Sequence, residues 1–182
     1  MSPKLWTFLI ALFVSVPLDQ ASKIWIDRHL TYADRIPVID GFFYITHVRN
    51  PGAAFSMFAG MEPTLRTAFF VGVSLVAMAI VVSFYRKLPP GDRLSALALG
   101  WILGGAIGNL IDRIARGEVV DFLRFHLWSG YTWPDFNLAD SFIVVGVALL
   151  VLELLATEGE NRSGDAGAPP KALSDAPPPS QS

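Results

Sequence analysis

The chain has 182 residues, of which 52% are hydrophobic and 16% are charged, and its mean hydropathy is +0.45. A soluble domain carries about a quarter charged residues, so this balance points to a membrane protein. The formal net charge of -2 at pH 7 offers no basic surface for nucleic acid. The lack of cysteine excludes a disulfide framework, a thiol nucleophile and a cysteine-based zinc site.

Four stretches of the chain are long and apolar enough to cross a bilayer, which takes about 20 residues. They predict an all-α membrane fold of four transmembrane helices, with spans at about 5–26, 66–85, 93–113 and 137–156. The first stretch could instead be a cleaved secretory signal peptide, because Lys4 precedes an apolar run. No small-residue cleavage site follows that run, and the apolar character continues to Ile26, which favours a span.

The loop between the first two spans, residues 27–65, has the pattern of a small β-sheet at the outer membrane surface. Asp40-Gly41 is a turn signal, residues 42–48 are aromatic and β-branched, and a second strand is predicted at 53–58. The other outer loop, residues 114–136, is rich in aromatic residues and predicts an interfacial segment. Its aromatic anchors are Phe122, Phe125, Trp128, Tyr131 and Trp133.

The orientation follows from the basic residues beside the spans. Arg86, Lys87 and Arg93 crowd one short loop, which predicts that this loop and both termini lie in the cytoplasm. Residues 1–156 then form one membrane domain. The remaining segment, residues 157–182, is rich in proline, glycine, alanine and serine and is predicted to be a disordered cytoplasmic tail.

Ionisable residues within spans cost roughly 2.5 to 3.5 kcal/mol each at a helix centre, so each needs a reason. In an up-and-down bundle the end of helix 1, the start of helix 2, the end of helix 3 and the start of helix 4 share one membrane face. Most intramembrane charges lie near that face and predict one outer pocket; Glu153, Arg66 and Arg93 are the exceptions. The polar residues expected in the pocket are Asp19, Lys23, Asn50, Asn109, Asp112, Arg113, Asp121 and Asp140.

Structural explanations compete with functional ones for the charged residues. Asp19 and Lys23 stand one helical turn apart with the acid first, which is the favourable order for an ion pair. Asp112 could likewise be neutralised by Arg113 and Arg116. These pairs alone do not require a catalytic site.

The glycines and the start of the fourth span have structural explanations as well. Gly100, Gly104 and Gly108 repeat every four residues, which lets a neighbouring helix approach closely. Asn137 can cap the fourth helix, with Asp140 in its first turn, where an acid is favoured. Capping explains why an asparagine is at position 137, but it explains only in part why an acid is at position 140, at the edge of the bilayer.

Asp121 and Asp140 have no obvious basic partner. Two neighbouring carboxylates share one proton, so one can activate water while the other polarises a carbonyl, which hydrolyses a peptide without a metal or a covalent nucleophile. Two aspartates alone are a weak signal. The chain has no zinc motif among His29, His47 and His126, which are predicted to be surface residues in loops, and it has no serine protease motif.

Five segments, in order along residues 5 to 155, resemble the lipoprotein signal peptidase (signal peptidase II) family, the bacterial intramembrane aspartyl proteases. They are Asp19-Gln20-Ala21-Ser22-Lys23, Asn50-Pro51-Gly52-Ala53-Ala54-Phe55-Ser56, Gly104-Gly105-Ala106-Ile107-Gly108-Asn109-Leu110-Ile111-Asp112-Arg113, Val119-Val120-Asp121-Phe122 and Phe136-Asn137-Leu138-Ala139-Asp140-Ser141. Any one of these segments alone is weak, whereas together they are highly specific.

The resemblance implies a role for each matched residue. Asp121 and Asp140 match the catalytic pair of the family, and Asp19 with Lys23 match its supporting polar residues. The positions that match residues shaping or lining the active site are Asn50, Gly52, Asn109, Arg113, Asn137 and Ala139.

The resemblance also implies a substrate and a location. The family cleaves prolipoproteins on the amino side of a cysteine that carries diacylglycerol, without a metal or cofactor, and is inhibited by globomycin. It has four helices and a small outer sheet, which agrees with the pattern above. The expected protein is therefore a monomer in the bacterial inner membrane, among phospholipids, with its active site at the periplasmic face. The resemblance assigns no role to the tail.

Two other function classes fit parts of the sequence. A small proton-coupled transporter needs an acid near the bilayer midplane, for which Glu153 is the candidate, but most acids here gather at one face. A non-catalytic membrane scaffold would explain the glycine repeat but not the clustered carboxylates.

Overall fold

The computed structural model describes residues 2–52 and 61–166. All four of its α-helices are long and apolar enough to cross a membrane, which confirms the prediction of four transmembrane helices. The elements, in chain order, are α1 (Pro3–His29), β1 (Arg35–Ile39), β2 (Phe43–Asn50), α2 (Pro63–Lys87), α3 (Arg93–Arg116), β3 (Val119–Phe125), a short 3-10 helix (Trp128–Gly130) and α4 (Leu138–Ala166).

Polar caps explain why the helices extend past the apolar windows. Ser2, Glu62 and Asp92 each accept a hydrogen bond from a backbone N–H in the first turn of α1, α2 and α3. Gly117 ends α3 in the left-handed conformation, with φ +76°.

The fourth helix corrects the prediction for the tail. Residues 157–166 continue α4 instead of being disordered, because adding a residue to an existing helix is far easier than starting one. The rest of the predicted tail, residues 167–182, lies outside the described residues.

Helix α3 lies at the centre of the bundle and packs against the other three helices. Its glycine repeat packs against a neighbouring helix, as predicted, and that helix is α1: Gly100 lies against Ala11, Gly104 against Ser15 and Gly108 against Asp19. A side chain at these positions would collide with α1. The close approach allowed by these glycines brings the polar end of α1 against α3.

At the end of the bundle away from the sheet, an apolar cluster joins α1, α2 and α3. Phe8, Val81 and Leu103 are among its buried members. Lys4 on α1 donates to the carbonyl oxygens of Tyr85 at 3.1 Å and Leu88 at 2.7 Å, at the end of α2. The outward faces of the helices carry exposed apolar side chains, as expected for surfaces in contact with lipid.

The small sheet is antiparallel with the strand order β1-β2-β3. The predicted turn is present, with Gly41 at φ +74°, and β2 covers residues 43–48 of the strand predicted at 42–48. The predicted strand at 53–58 falls outside the described residues. Within the described residues, the third strand of the sheet comes from the predicted interfacial segment, where Val120 and Phe122 are buried against Ile26 of α1.

The prediction of three surface histidines in loops is wrong for two of them. His29 is the last residue of α1, although it is exposed. His47 is buried in β2, where its Nδ1 donates to the Leu30 carbonyl at 2.9 Å and its Nε2 lies 3.0 Å from Asp27 Oδ1. The histidine is buried because the sheet packs directly on the end of α1.

Candidate active site

Asp121 lies in β3 with its carboxylate held by two amide side chains. Asn137 Nδ2 donates to Asp121 Oδ1 at 2.7 Å, and Asn50 Nδ2 donates to Asp121 Oδ2 at 2.9 Å. Asp121 is only 2% exposed. The carboxylate is therefore fixed in position and largely removed from water.

The turn after β2 orients Asn50. Gly52 has φ +97°, a conformation that side chains disfavour, and its N–H donates to Asn50 Oδ1 at 2.9 Å. A Cβ on Gly52 would also collide with the ring of Phe70 on α2. Because the Asn50 oxygen is occupied by this turn, its nitrogen faces Asp121.

Asp140 lies in the first turn of α4 and takes part in its cap. Asp140 N donates to Asn137 Oδ1 at 3.0 Å, and Asn137 N donates to Asp140 Oδ2 at 3.3 Å. This reciprocal cap confirms the predicted capping by Asn137. The other oxygen, Asp140 Oδ1, accepts from Asn109 Nδ2 at 2.7 Å.

Asn109 and Asn137 join the two carboxylates into one network. Asn137 Nδ2, which contacts Asp121, also donates to Asn109 Oδ1 at 3.1 Å, and Asn109 in turn contacts Asp140. Burial and the nearby charge of Asp140 raise the pKa of Asp121 to about 7, against the opposing effect of its hydrogen bonds. Asp121 can therefore hold a proton near neutral pH, next to a second carboxyl group, that of Asp140, in the same network.

A buried charged cluster lies beside the carboxylates. Lys23 is fully buried, and its Nζ lies 2.8 Å from Asp19 Oδ2 and 2.9 Å from Asp112 Oδ2. Lys23 also donates to Asn109 Oδ1 at 2.9 Å. The predicted Asp19–Lys23 ion pair is confirmed, and it extends to α3 and, through Asn109, to Asp140.

Ala139 contributes through its backbone. Its N–H donates to Asp19 Oδ1 at 2.9 Å, and its carbonyl and methyl groups pack on Gly105 and Gly108. A larger residue would push α4 away from α3. The small residue thus allows α1, α3 and α4 to meet at one point.

Asp112 has more partners than its sequence neighbours predicted. It contacts Arg116, as expected, but it also pairs with Lys23 and accepts from the N–H of Val120 at 3.3 Å. The last contact ties α3 to the strand one residue before Asp121.

Arg113 does not form the predicted ion pair. Its Nη1 donates to the carbonyl oxygen of Asn109 at 3.2 Å, and its guanidinium lies over the Phe70 ring at 5.3 Å. It remains close enough to Asp121 and Asp140 to interact with both electrostatically. Its electrostatic interaction with Asp112 is weaker than those with Asp140 and Asp121, because adjacent side chains on a helix project about 100° apart.

Two polar residues in this region were not singled out from the sequence. Gln20 Nε2 donates to Asp19 Oδ2 at 3.1 Å and Asp112 Oδ1 at 3.2 Å, and its position beside Asp19 in the matched segment was the available signal. Asp135 accepts two hydrogen bonds from Arg124 at 2.8 and 2.7 Å and one from Thr46 at 2.8 Å. These hydrogen bonds hold the residues just before α4 against the sheet, and no sequence pattern predicted them.

An apolar cavity of about 380 Å³ reaches Asp140 from the side of α4. It is lined by Trp133, Phe136, Asp140, Ser141, Val144 and Val145. Asp140 is thus accessible next to a surface suited to an apolar chain.

The sequence and the fold both match known proteins. The sequence profile of a family described as Signal peptidase (SPase) II matches residues 10–156. The lipoprotein signal peptidase of Geobacter metallireducens is 48% identical over 158 residues, covering 87% of this chain and 96% of that protein. The lipoprotein signal peptidase of Bacillus pumilus is 45% identical over 148 residues, covering 81% of this chain and 92% of that protein.

Two solved structures have the same architecture. One is a bacterial membrane enzyme determined by the in meso method at 2.3 Å resolution, with a TM-score of 0.74 and 32% identity over 85% of this chain and 90% of that one. The other, at 1.9 Å, has a TM-score of 0.73 and 34% identity over 82% of this chain and 92% of that one. Neither the transporter nor the scaffold interpretation agrees with these relatives. The chain belongs to the signal peptidase II family and is therefore a multi-pass membrane protease.

Proposed function

We propose that this protease removes signal peptides from prolipoproteins whose cysteine carries diacylglycerol, cleaving on the amino side of that cysteine. The observation that carries the mechanism is the network in which Asn109 and Asn137 join Asp121 to Asp140. The printed names of the relatives, lipoprotein signal peptidases, support the substrate class. Cleavage requires no metal or cofactor in this proposal.

The two carboxyl groups divide the chemistry of hydrolysis. The ionised carboxylate takes a proton from water, whose oxygen attacks the carbonyl carbon, while the protonated carboxyl group donates to the carbonyl oxygen. A proton then passes to the amide nitrogen, the carbon–nitrogen bond breaks, and the lipidated cysteine leaves with a free amine. Arg113 stabilises the negative charge that the pair carries, because it interacts electrostatically with both Asp121 and Asp140.

The membrane positions this substrate. The acyl chains on the cysteine anchor the scissile bond near the bilayer surface. Asp140 lies in the first turn of α4 and Asp121 lies in β3, which follows the end of α3, so both are near that depth. The cavity beside Asp140 offers an apolar wall to the substrate. Globomycin would compete for the same pocket.

The proposed location is the bacterial inner membrane, with the termini in the cytoplasm and the aspartates at the periplasmic face. The orientation is supported by Arg86 and Lys87 at the end of α2 and Arg93 at the start of α3. The site needs residues of one chain only, which supports a monomer.

A gel-shift assay on one purified precursor tests the substrate class. The precursor is prepared with and without diacylglycerol on its cysteine, and only the modified form is expected to be cut, because the acyl chains place the bond at the site. Peptide sequencing of the product should give the lipidated cysteine as its first residue. Equal cleavage of both forms would contradict the proposal, and globomycin should block cleavage of the modified form.

The pH dependence of cleavage follows from the proton on Asp121. Its pKa is raised to about 7, so the proton is present below that pH and is lost above it. Above that pH Asp121 is ionised and can no longer donate to the carbonyl oxygen. We therefore expect kcat/KM to fall as the pH rises through about 7. A rate that keeps increasing well above that pH, with the protein still folded, would show that Asp121 does not supply the proton.

A further inference from the structure

A cleft of about 580 Å³ lies between the start of α2 and the end of α3. Its described lining includes three arginines and one acid: Arg66, Arg113, Arg116 and Glu118. Thr64 and Thr67 add two hydroxyl groups. The described lining therefore has an excess of positive charge and several hydrogen-bond donors.

Arg66 is the arginine of this cleft that is least compensated. Arg116 contacts Asp112 and lies 3.5 Å from Asp27. Within the described residues, by contrast, nothing accepts a hydrogen bond from the buried Nε of Arg66. Glu62 interacts with Arg66 electrostatically, but its carboxylate already accepts from the N–H of Leu65 at 2.9 Å in the cap of α2. A buried N–H without an acceptor is costly, so a ligand oxygen would be stabilising here.

The surroundings of the cleft indicate which kind of ligand would supply that acceptor oxygen. Leu65, beside Arg66, is 60% exposed, and Ile114, in the lining, is 68% exposed. Both side chains belong to membrane-spanning helices, so they face lipid. Guanidinium groups at helix ends beside lipid-facing apolar residues lie at the depth of the phospholipid headgroups.

We propose that this cleft binds the phosphodiester headgroup of an anionic phospholipid, with Arg66 donating to the phosphate oxygens. The planar guanidinium fits two phosphate oxygens at once. Leu65 and Ile114 supply apolar surface for the acyl chains. The excess of arginine disfavours the ammonium group of a zwitterionic headgroup. The cleft adjoins the carboxylate pair, because Arg113 in its lining interacts electrostatically with Asp121 and Asp140, but its occupancy can be measured without any cleavage.

The test measures which lipid stays bound to the full-length protein. The protein is reconstituted in bilayers of phosphatidylcholine and phosphatidylglycerol and then extracted in mild detergent. Native mass spectrometry identifies the lipids that remain bound and measures their relative amounts. The wild type should retain phosphatidylglycerol in preference to phosphatidylcholine. Arg66→Gln should reduce this preference about fivefold, which corresponds to the ~1 kcal/mol that one basic residue contributes near an anionic membrane surface.

Two variants and one competitor make the result specific. Arg66→Lys keeps the charge and should retain part of the preference. Arg35→Gln removes an exposed arginine of β1, outside the membrane-spanning helices, and should leave the preference nearly unchanged. Inorganic phosphate should not displace the lipid; displacement would assign the site to a free anion and overturn the proposal. A wild type without preference, or a preference unchanged in Arg66→Gln, would also overturn it.

Discussion

Replacing Asp121 or Asp140 with asparagine is expected to abolish cleavage of a diacylglyceryl-modified precursor. Each substitution keeps the shape of the side chain but removes a group that must take up or release a proton. General acid–base catalysis contributes about 10² to 10⁴-fold, and the two groups act as a unit, so either variant should lose at least about a thousandfold in kcat. The gel-shift assay on the lipidated precursor measures the loss.

The controls for this experiment come from the same network and the same helix. Glu153→Gln removes a carboxylate near the middle of α4 that contacts Ser95 at the start of α3, and this variant should cleave at nearly the wild-type rate. Asn109→Ala should lose less activity than either aspartate variant, because it removes hydrogen bonds and no proton-transfer group. Substantial residual cleavage by a folded Asp121→Asn or Asp140→Asn protein would refute the catalytic pair, and an equal loss in Asn109→Ala would refute the ranking.

Replacing Lys23 with methionine is expected to have the largest effect on stability. The ammonium group is fully buried between Asp19 and Asp112, so its removal leaves two buried carboxylates without their shared counter-ion. Removing one partner of a buried ion pair costs about 3 to 5 kcal/mol. Unfolding of the purified protein in detergent can be monitored by the loss of its helical circular dichroism signal. The free energy of unfolding should decrease by that amount.

A control and a rescue separate this effect from the loss of any lysine. Lys87→Met removes an exposed lysine at the end of α2 and should change the free energy of unfolding by less than about 0.5 kcal/mol. Adding Asp19→Asn to Lys23→Met should recover part of the stability, because Asp112 retains Arg116 as a partner. A Lys23→Met protein as stable as the wild type would rule out the counter-ion role.

The spans and the shared polar face could be predicted because both depend on local properties. Hydropathy finds a helix that must lie in lipid, and the alternation of the spans brings Asp19, Asn109 and Asp140 to one face without any knowledge of side-chain contacts. The glycine repeat on α3 could be assigned to packing for the same reason. Its partner, α1, became known only from the structure.

The strands and the details of the network depend on contacts between distant residues. β3 pairs with β2 across two transmembrane helices, and its run of valine and phenylalanine is equally typical of an interfacial segment. The hydrogen bonds of Asn109 to Lys23, Asn137 and Asp140 join three helices and the cap of α4, which no spacing rule describes. The sequence therefore predicts which residues lie at the site, whereas the hydrogen bonds between them are known only from the structure.

The i, i+4 spacing of Asp19 and Lys23 has a consequence for biosynthesis. The chain is made from its N-terminus, so α1 reaches the membrane before α3 and α4 exist. At that stage neither Asn109 nor Asp112 is available to either charge. Because the acid and the base lie one turn apart on the same helix, each brings its counter-charge into the bilayer. The polar centre of the finished enzyme thus begins as a neutral pair that a single helix can carry.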